Sequence, residues 1–159
     1  MTPSLPLEHL PRLKEWQRET DDGVSLSDLI GVEGNPELAV AFADLSWPTF
    51  IEVDGCIIRQ GAYTSERFDR WMETTGRNCT QVEQMLNHIH TTYLLPNSPQ
   101  YSSAIYEYLA GVIRSGWNAA SAAQFPDRKF VILCETEPDD YGPTIYFWQD
   151  RPDDQGVAK

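Results

Sequence analysis

Apolar side chains recur at helical spacing over most of this chain and at strand spacing in two short stretches. Pro11 opens the first helical pattern, with Leu10, Leu13 and Trp16 three residues apart, and Asp21-Asp22-Gly23 ends it. Val24 to Gly31 is short, and its pattern is ambiguous. Asn35-Pro36 starts a second helix carrying Leu38, Ala41, Phe42 and Leu45, which Trp47-Pro48 stops. Thr49–Val53 and Cys56–Arg59 then flank Asp54-Gly55, the strongest short-range hairpin signal. Counting from that turn, Val53 faces Cys56 and Ile51 faces Ile58. These four line one face, while Phe50, Glu52, Ile57 and Arg59 line the other. Both faces are partly apolar, so we expect cover on both sides.

Ser65 can cap a helix with a Phe68, Trp71 and Met72 stripe, closed by Gly76. Thr80-Gln-Val-Glu83 matches a capping box, and Val82, Met85, Leu86, Ile89 and Tyr93 extend one helix to Pro96. Ser98-Pro99 starts the longest helix, with Tyr101, Ile105, Tyr108, Leu109, Val112, Ile113, Trp117 and Ala120 along one face. Gly111, Ser115 and Ala119 repeat small residues on it and admit close approach by another element. Lys129–Cys134 reads as a buried strand and Pro143–Gln149 as its hairpin partner. The predicted class is α+β: one antiparallel sheet of about four strands, from hairpins at about 49–59 and 129–149, packed with several helices. Residues 1–150 form a single domain in this reading, and 151–159 form a free acidic tail.

Composition narrows the function classes. The 159 residues are 41% hydrophobic, too apolar for an acidic disordered tail. No apolar run reaches the roughly 18 residues of a membrane span. The N-terminus has neither a basic nor an apolar signal region. Cys56, Cys79 and Cys134 are an odd number without a C-x-x-C pair, a poor disulfide framework and a poor zinc site. We therefore expect a reducing cytoplasmic setting.

The net charge is -12, placed mainly at the two ends. Residues 1–54 carry eleven acids against three bases, and residues 135–159 seven against two. Such a chain repels nucleic acid and anionic membrane surfaces and attracts basic proteins. Residues 78–134, by contrast, balance at three acids and three bases.

Four local groups could carry chemistry. Glu83, Asn87 and His90 share a helix flank and could hold a metal with one further ligand, His88 pointing away from His90 on a helix. In an extended segment the two histidines would share a side. Cys79, at a helix start with Arg77 two residues back, has the setting of a nucleophile, with His9, His88 or His90 as the candidate base. Arg59, Arg67, Arg70 and Arg77 are the only basic cluster, partly matched by Glu66, Asp69 and Glu73. Glu135, Glu137, Asp139, Asp140 and Tyr141 form an acidic loop suited to a basic partner. No phosphate loop, nucleophile elbow or metalloprotease motif is present.

These observations point to a non-catalytic binding protein of inhibitor, immunity or adaptor type, acting through an acidic surface and needing no cofactor. Its partner would be a basic protein, with self-pairing through the last, aromatic strand as a further option. The alternatives are a small enzyme or metal protein built on Glu83, His88 and His90 or on Cys79, and a DNA mimic.

Overall fold

The Asp54-Gly55 hairpin is the middle layer of the protein. In the computed structural model, which describes residues 7–20, 23–95, 101–136 and 142–152, β1 (Phe50–Val53) and β2 (Cys56–Arg59) pair antiparallel in the expected register. Asp54 and Gly55 take φ of 49° and 81°, the left-handed pair that a tight hairpin turn needs. Phe50 and Ile57 enter a core with Ile113 and Trp117 of α7 (Ser103–Gln124). Cys56 and Ile58 enter a second core with α4 (Ser65–Thr74) and α5 (Cys79–Asn87), through Phe68, Met72, Val82 and Leu86. The hairpin is thus covered on both sides, as its two apolar faces require.

Preceding it are α1 (Pro11–Glu19), α2 (Leu26–Glu33) and α3 (Pro36–Ser46). The undecided stretch after Val24 is helix α2, fixed by a reciprocal capping box between Ser25 and Asp28. Asn35 caps α3 by accepting from Glu37 N–H and Leu38 N–H. Thr64, not Ser65, caps α4. Gly116 of α7 lies so close to the α3 C-terminus that an added Cβ would overlap Ser46 O.

Other expectations fail. The helix opened near Thr80 does not run to Tyr93: α5 ends at Asn87, and His88 is extended. Ile89–His90 forms the short strand β3, followed by one helical turn, α6 (Thr91–Leu94). Backbone bonding to another strand outweighs helical periodicity there. The cap of α5 is Asn78, not Thr80, and Glu83 turns inward instead of closing a box.

The two hairpins also do not merge into one four-stranded sheet. β4 (Phe130–Glu135) and β5 (Thr144–Gln149) pair with each other, and β3 adds to β5, giving a separate sheet of order β3-β5-β4. β5 is therefore central, and the last strand is not an open edge. Helix α5 stands between the sheets and joins them through side chains. Its face presents Glu83 and Asn87, one turn apart. Glu83 accepts from Ile57 N–H in β2 (2.6 Å) and Gln149 N–H in β5 (2.7 Å). Asn87 accepts from Arg59 N–H (2.8 Å) and donates to Ile57 C=O (2.9 Å) and Phe147 C=O (3.4 Å). These two side chains satisfy strand-edge groups that a continuous ladder would otherwise use.

Arg151 does not lie in a free tail. Its guanidinium forks onto Glu83 at 2.6 and 2.9 Å and also donates to Gly55 C=O. Among the described residues, no helix is long and apolar enough to cross a membrane.

Candidate functional site

Cys79 is not a thiol. It is disulfide-bonded to Cys56, with 5.1 Å between their Cα atoms, so a nucleophilic thiolate at this position is excluded. The bond joins the start of β2 to the start of α5, two points 23 residues apart that no local spacing reveals. It also removes the cysteine half of the argument for a reducing compartment. The remaining thiol, Cys134, is pushed up by burial, with Arg114 opposing the shift.

Glu83 is fully buried, and both its oxygens are occupied by two backbone N–H groups and Arg151. A metal there would have to displace a bidentate arginine. Among the described residues, no three His, Cys, Asp or Glu side chains stand close enough together to hold a metal ion. The Glu83–Asn87–His90 grouping dissolves because the helix that would align it ends at Asn87.

The two histidines share a side, as an extended chain dictates, with ring centroids 5.2 Å apart. His88 Nδ1 lies 2.8 Å from Met85 O and its ring stacks on Tyr146 at 6.0 Å. His90 Nδ1 lies 2.7 Å from Thr144 Oγ1, and its ring meets Tyr93 edge-on at 5.2 Å. The imidazoles thus continue an aromatic row over the outer face of the second sheet, each with a hydrogen bond that orients it.

The arginines are used singly. Arg70 pairs with Glu66 at 3.3 Å, Arg77 with Asp54 at 3.8 Å, and Arg67 donates to Ala62 C=O. Arg59 lies 4.8 Å over the Trp117 ring, and its Nε is buried without a hydrogen-bond partner. Burial pushes this guanidinium down to about 10, with Arg67 adding to the shift and Asp44 opposing it. Glu135 is exposed at the end of β4; Glu137, Asp139, Asp140 and Tyr141 lie outside the described residues.

The largest departure from ordinary packing is in α2 and α3, neither of which has a buried residue. Ile30, Val32, Leu38 and Val40 are 57–71% exposed, and Trp47 just beyond is 56% exposed. Phe42 borders a small apolar pocket of about 30 Å³ between α3, α6 and α7, lined also by Leu45, Leu94, Leu109 and Val112. From Glu19 to Ile58 there is no Lys or Arg, while Asp28, Glu33, Glu37 and Asp44 lie on or beside these helices. Helical periodicity marked α3 but not α2, and did not show that the apolar side chains of either stay in water.

No family model matches the chain, no curated protein matches its sequence, and no solved structure matches its fold.

Proposed function

We propose that this protein is a non-catalytic binding module whose contact surface is the exposed α2–α3 pair. The observation that carries this reading is the set Ile30, Val32, Leu38, Val40 and Trp47, all held largely in water. Burying one such side chain is worth about 1.5–3 kcal/mol, so five together are a large reserve for association. Five large apolar side chains exposed within the stretch from Ile30 to Trp47 exceed the singly scattered ones usual on a monomer. Trp47 and Phe42 are the aromatic anchors, with the small pocket beside Phe42 as a seat for an apolar side chain.

Charge sets the partner. Asp28, Glu37 and Asp44 lie along this stretch, while Arg12 already pairs with Glu33 at 2.7 Å, so the best complement is an amphipathic segment with an apolar stripe rimmed by Lys and Arg. Carboxylates interleaved with Val, Leu and Ile suit a protein better than a bare phosphate-like row suits a nucleic-acid-binding site. The acidic loop Glu135, Glu137, Asp139, Asp140 and Tyr141 is proposed, on charge alone, as a second contact that steers the same basic partner.

The test is a photo-crosslinking residue at Val40, with one at Glu66 on α4 as control, in lysate of the native source. The expected result is one dominant adduct from Val40, rich in Lys and Arg, weakened by high salt and lost with Ile30→Asp. Equal labelling from both positions, or an adduct indifferent to Ile30→Asp, overturns the proposal.

A further inference from the structure

The outer edge of β4 is an open pairing surface. Asp150 N–H donates to Lys129 C=O at 2.9 Å, which sets the hydrogen-bonding parity of the β4–β5 ladder. Residues 131, 133 and 135 therefore bond inward to β5. Phe130, Ile132 and Cys134 point their N–H and C=O groups away from it. Among the described residues, the sheet order β3-β5-β4 puts no strand on that side. Edges of this length are normally blunted by Pro, a bulge or a central charge. Here Phe130–Glu135 pairs in unbroken register, and its charges sit only at the two ends.

Those end charges select a partner. Lys129 precedes the strand and Glu135 ends it, and both are exposed. If the edge pairs antiparallel with itself about Ile132, Phe130 faces the second copy's Cys134. Lys129 then faces the second copy's Glu135, twice by symmetry. This register joins outward-pointing residues to outward-pointing residues, as the ladder parity demands.

The surface beside the edge fits the same arrangement. An open groove of about 300 Å³ runs between Ile132 and the exposed side of α7, lined by Arg114, Ser115 and Asn118. A two-fold axis at Ile132 brings a second α7 toward this groove, where Ser115 and Ala119 are small and exposed. The net charge of -12 opposes self-association elsewhere, but residues 78–134 carry equal numbers of acids and bases.

We propose that the protein forms a two-fold dimer by antiparallel pairing of β4 with β4 of a second copy, centred on Ile132 and clamped by Lys129 against Glu135. The two three-stranded sheets become one of six strands. The pairing uses none of the α2–α3 surface, so it stands or falls independently of the binding reading. A dimer would carry two copies of that surface.

Sedimentation equilibrium of the oxidised protein tests this, with Lys129→Glu and the charge swap Lys129→Glu/Glu135→Lys. Both positions are exposed, so the variants keep the monomer fold. The expected result is a wild-type mass of twice 18.1 kDa. Lys129→Glu places like charges opposite each other and should raise the dimer Kd roughly tenfold; the swap should restore it. A monomer at about 100 µM, a concentration at which even a weak specific dimer assembles, overturns the proposal. So does a dimer unmoved by Lys129→Glu, or one the swap fails to rescue.

Discussion

Replacing Glu83 by Gln tests whether one buried carboxylate joins the two sheets. Oε1 accepts from Ile57 N–H and Arg151 at 2.6 Å each. Oε2 accepts from Gln149 N–H at 2.7 Å and Arg151 at 2.9 Å. A glutamine keeps one acceptor oxygen and places its NH₂ group against one of the two backbone N–H donors. That strand loses its partner, and Arg151 loses its counter-charge. A lost bond to a charged acceptor is worth about 1.5–3 kcal/mol, and the orphaned N–H costs about 1–3 more. The sum matches the roughly 3–5 kcal/mol for breaking a buried ion pair from one side. Against a domain stability of about 5–15 kcal/mol, this is a large share. Urea unfolding of the oxidised protein, followed by far-UV circular dichroism, should show a midpoint lowered by roughly 2 M for an m-value near 2 kcal/mol/M. Arg151→Met should also destabilise, and the double variant should cost less than the two singles together. A loss below about 1 kcal/mol for Glu83→Gln would refute the junction. It would return Glu83 to the role of a replaceable surface or metal-site carboxylate.

Closing the loop between Cys56 and Cys79 should stabilise the fold by about 3 kcal/mol. Reduction should lower the unfolding midpoint accordingly. Denatured, unreduced protein should titrate a single thiol, and finding three would refute the bond. Gly116→Ala should destabilise by about 2 kcal/mol through contact with Ser46 O, a Tm loss of roughly 4–8 °C. Gly61→Ala, with nothing within 4 Å, is the control. Arg59→Met should be neutral or stabilising by roughly 1 kcal/mol, since it removes a desolvated cation with no hydrogen-bond acceptor at Nε; a clear Tm loss would mean that the stack on Trp117 dominates. The Ser25 hydroxyl and N–H hold the Asp28 carboxyl below the usual carboxylate range. Its contribution to α2 is therefore present above that range and lost as pH falls through the lowered value. Ser25→Ala should raise the Asp28 midpoint in an NMR titration, and an unmoved midpoint would refute the capping box.

What could be read along the chain was what depends on near neighbours. Asp54-Gly55 determined the first hairpin, its register and its two faces, because a two-residue turn leaves one pairing. Pro11 and Asn35-Pro36 placed the starts of α1 and α3, and the run Lys129–Cys134 with Pro143–Gln149 placed the second hairpin. The Ile113–Trp117–Ala120 stripe placed the buried side of α7. The acidic ends and the neutral stretch at 78–134 were equally legible, being sums over composition.

Only the tertiary structure decided the rest. The end of α5 at Asn87 depends on β5, more than fifty residues later, offering its edge to Ile89 and His90. The split into two sheets depends on Glu83 reaching Ile57 and Gln149 and on Asn87 reaching Ile57 and Phe147, and the disulfide on bringing together residues 23 apart. Exposure of α2 and α3 was hidden for the same reason. Periodicity shows which side chains share a face, but whether that face meets protein or water is settled by how distant segments dispose of their backbone hydrogen bonds.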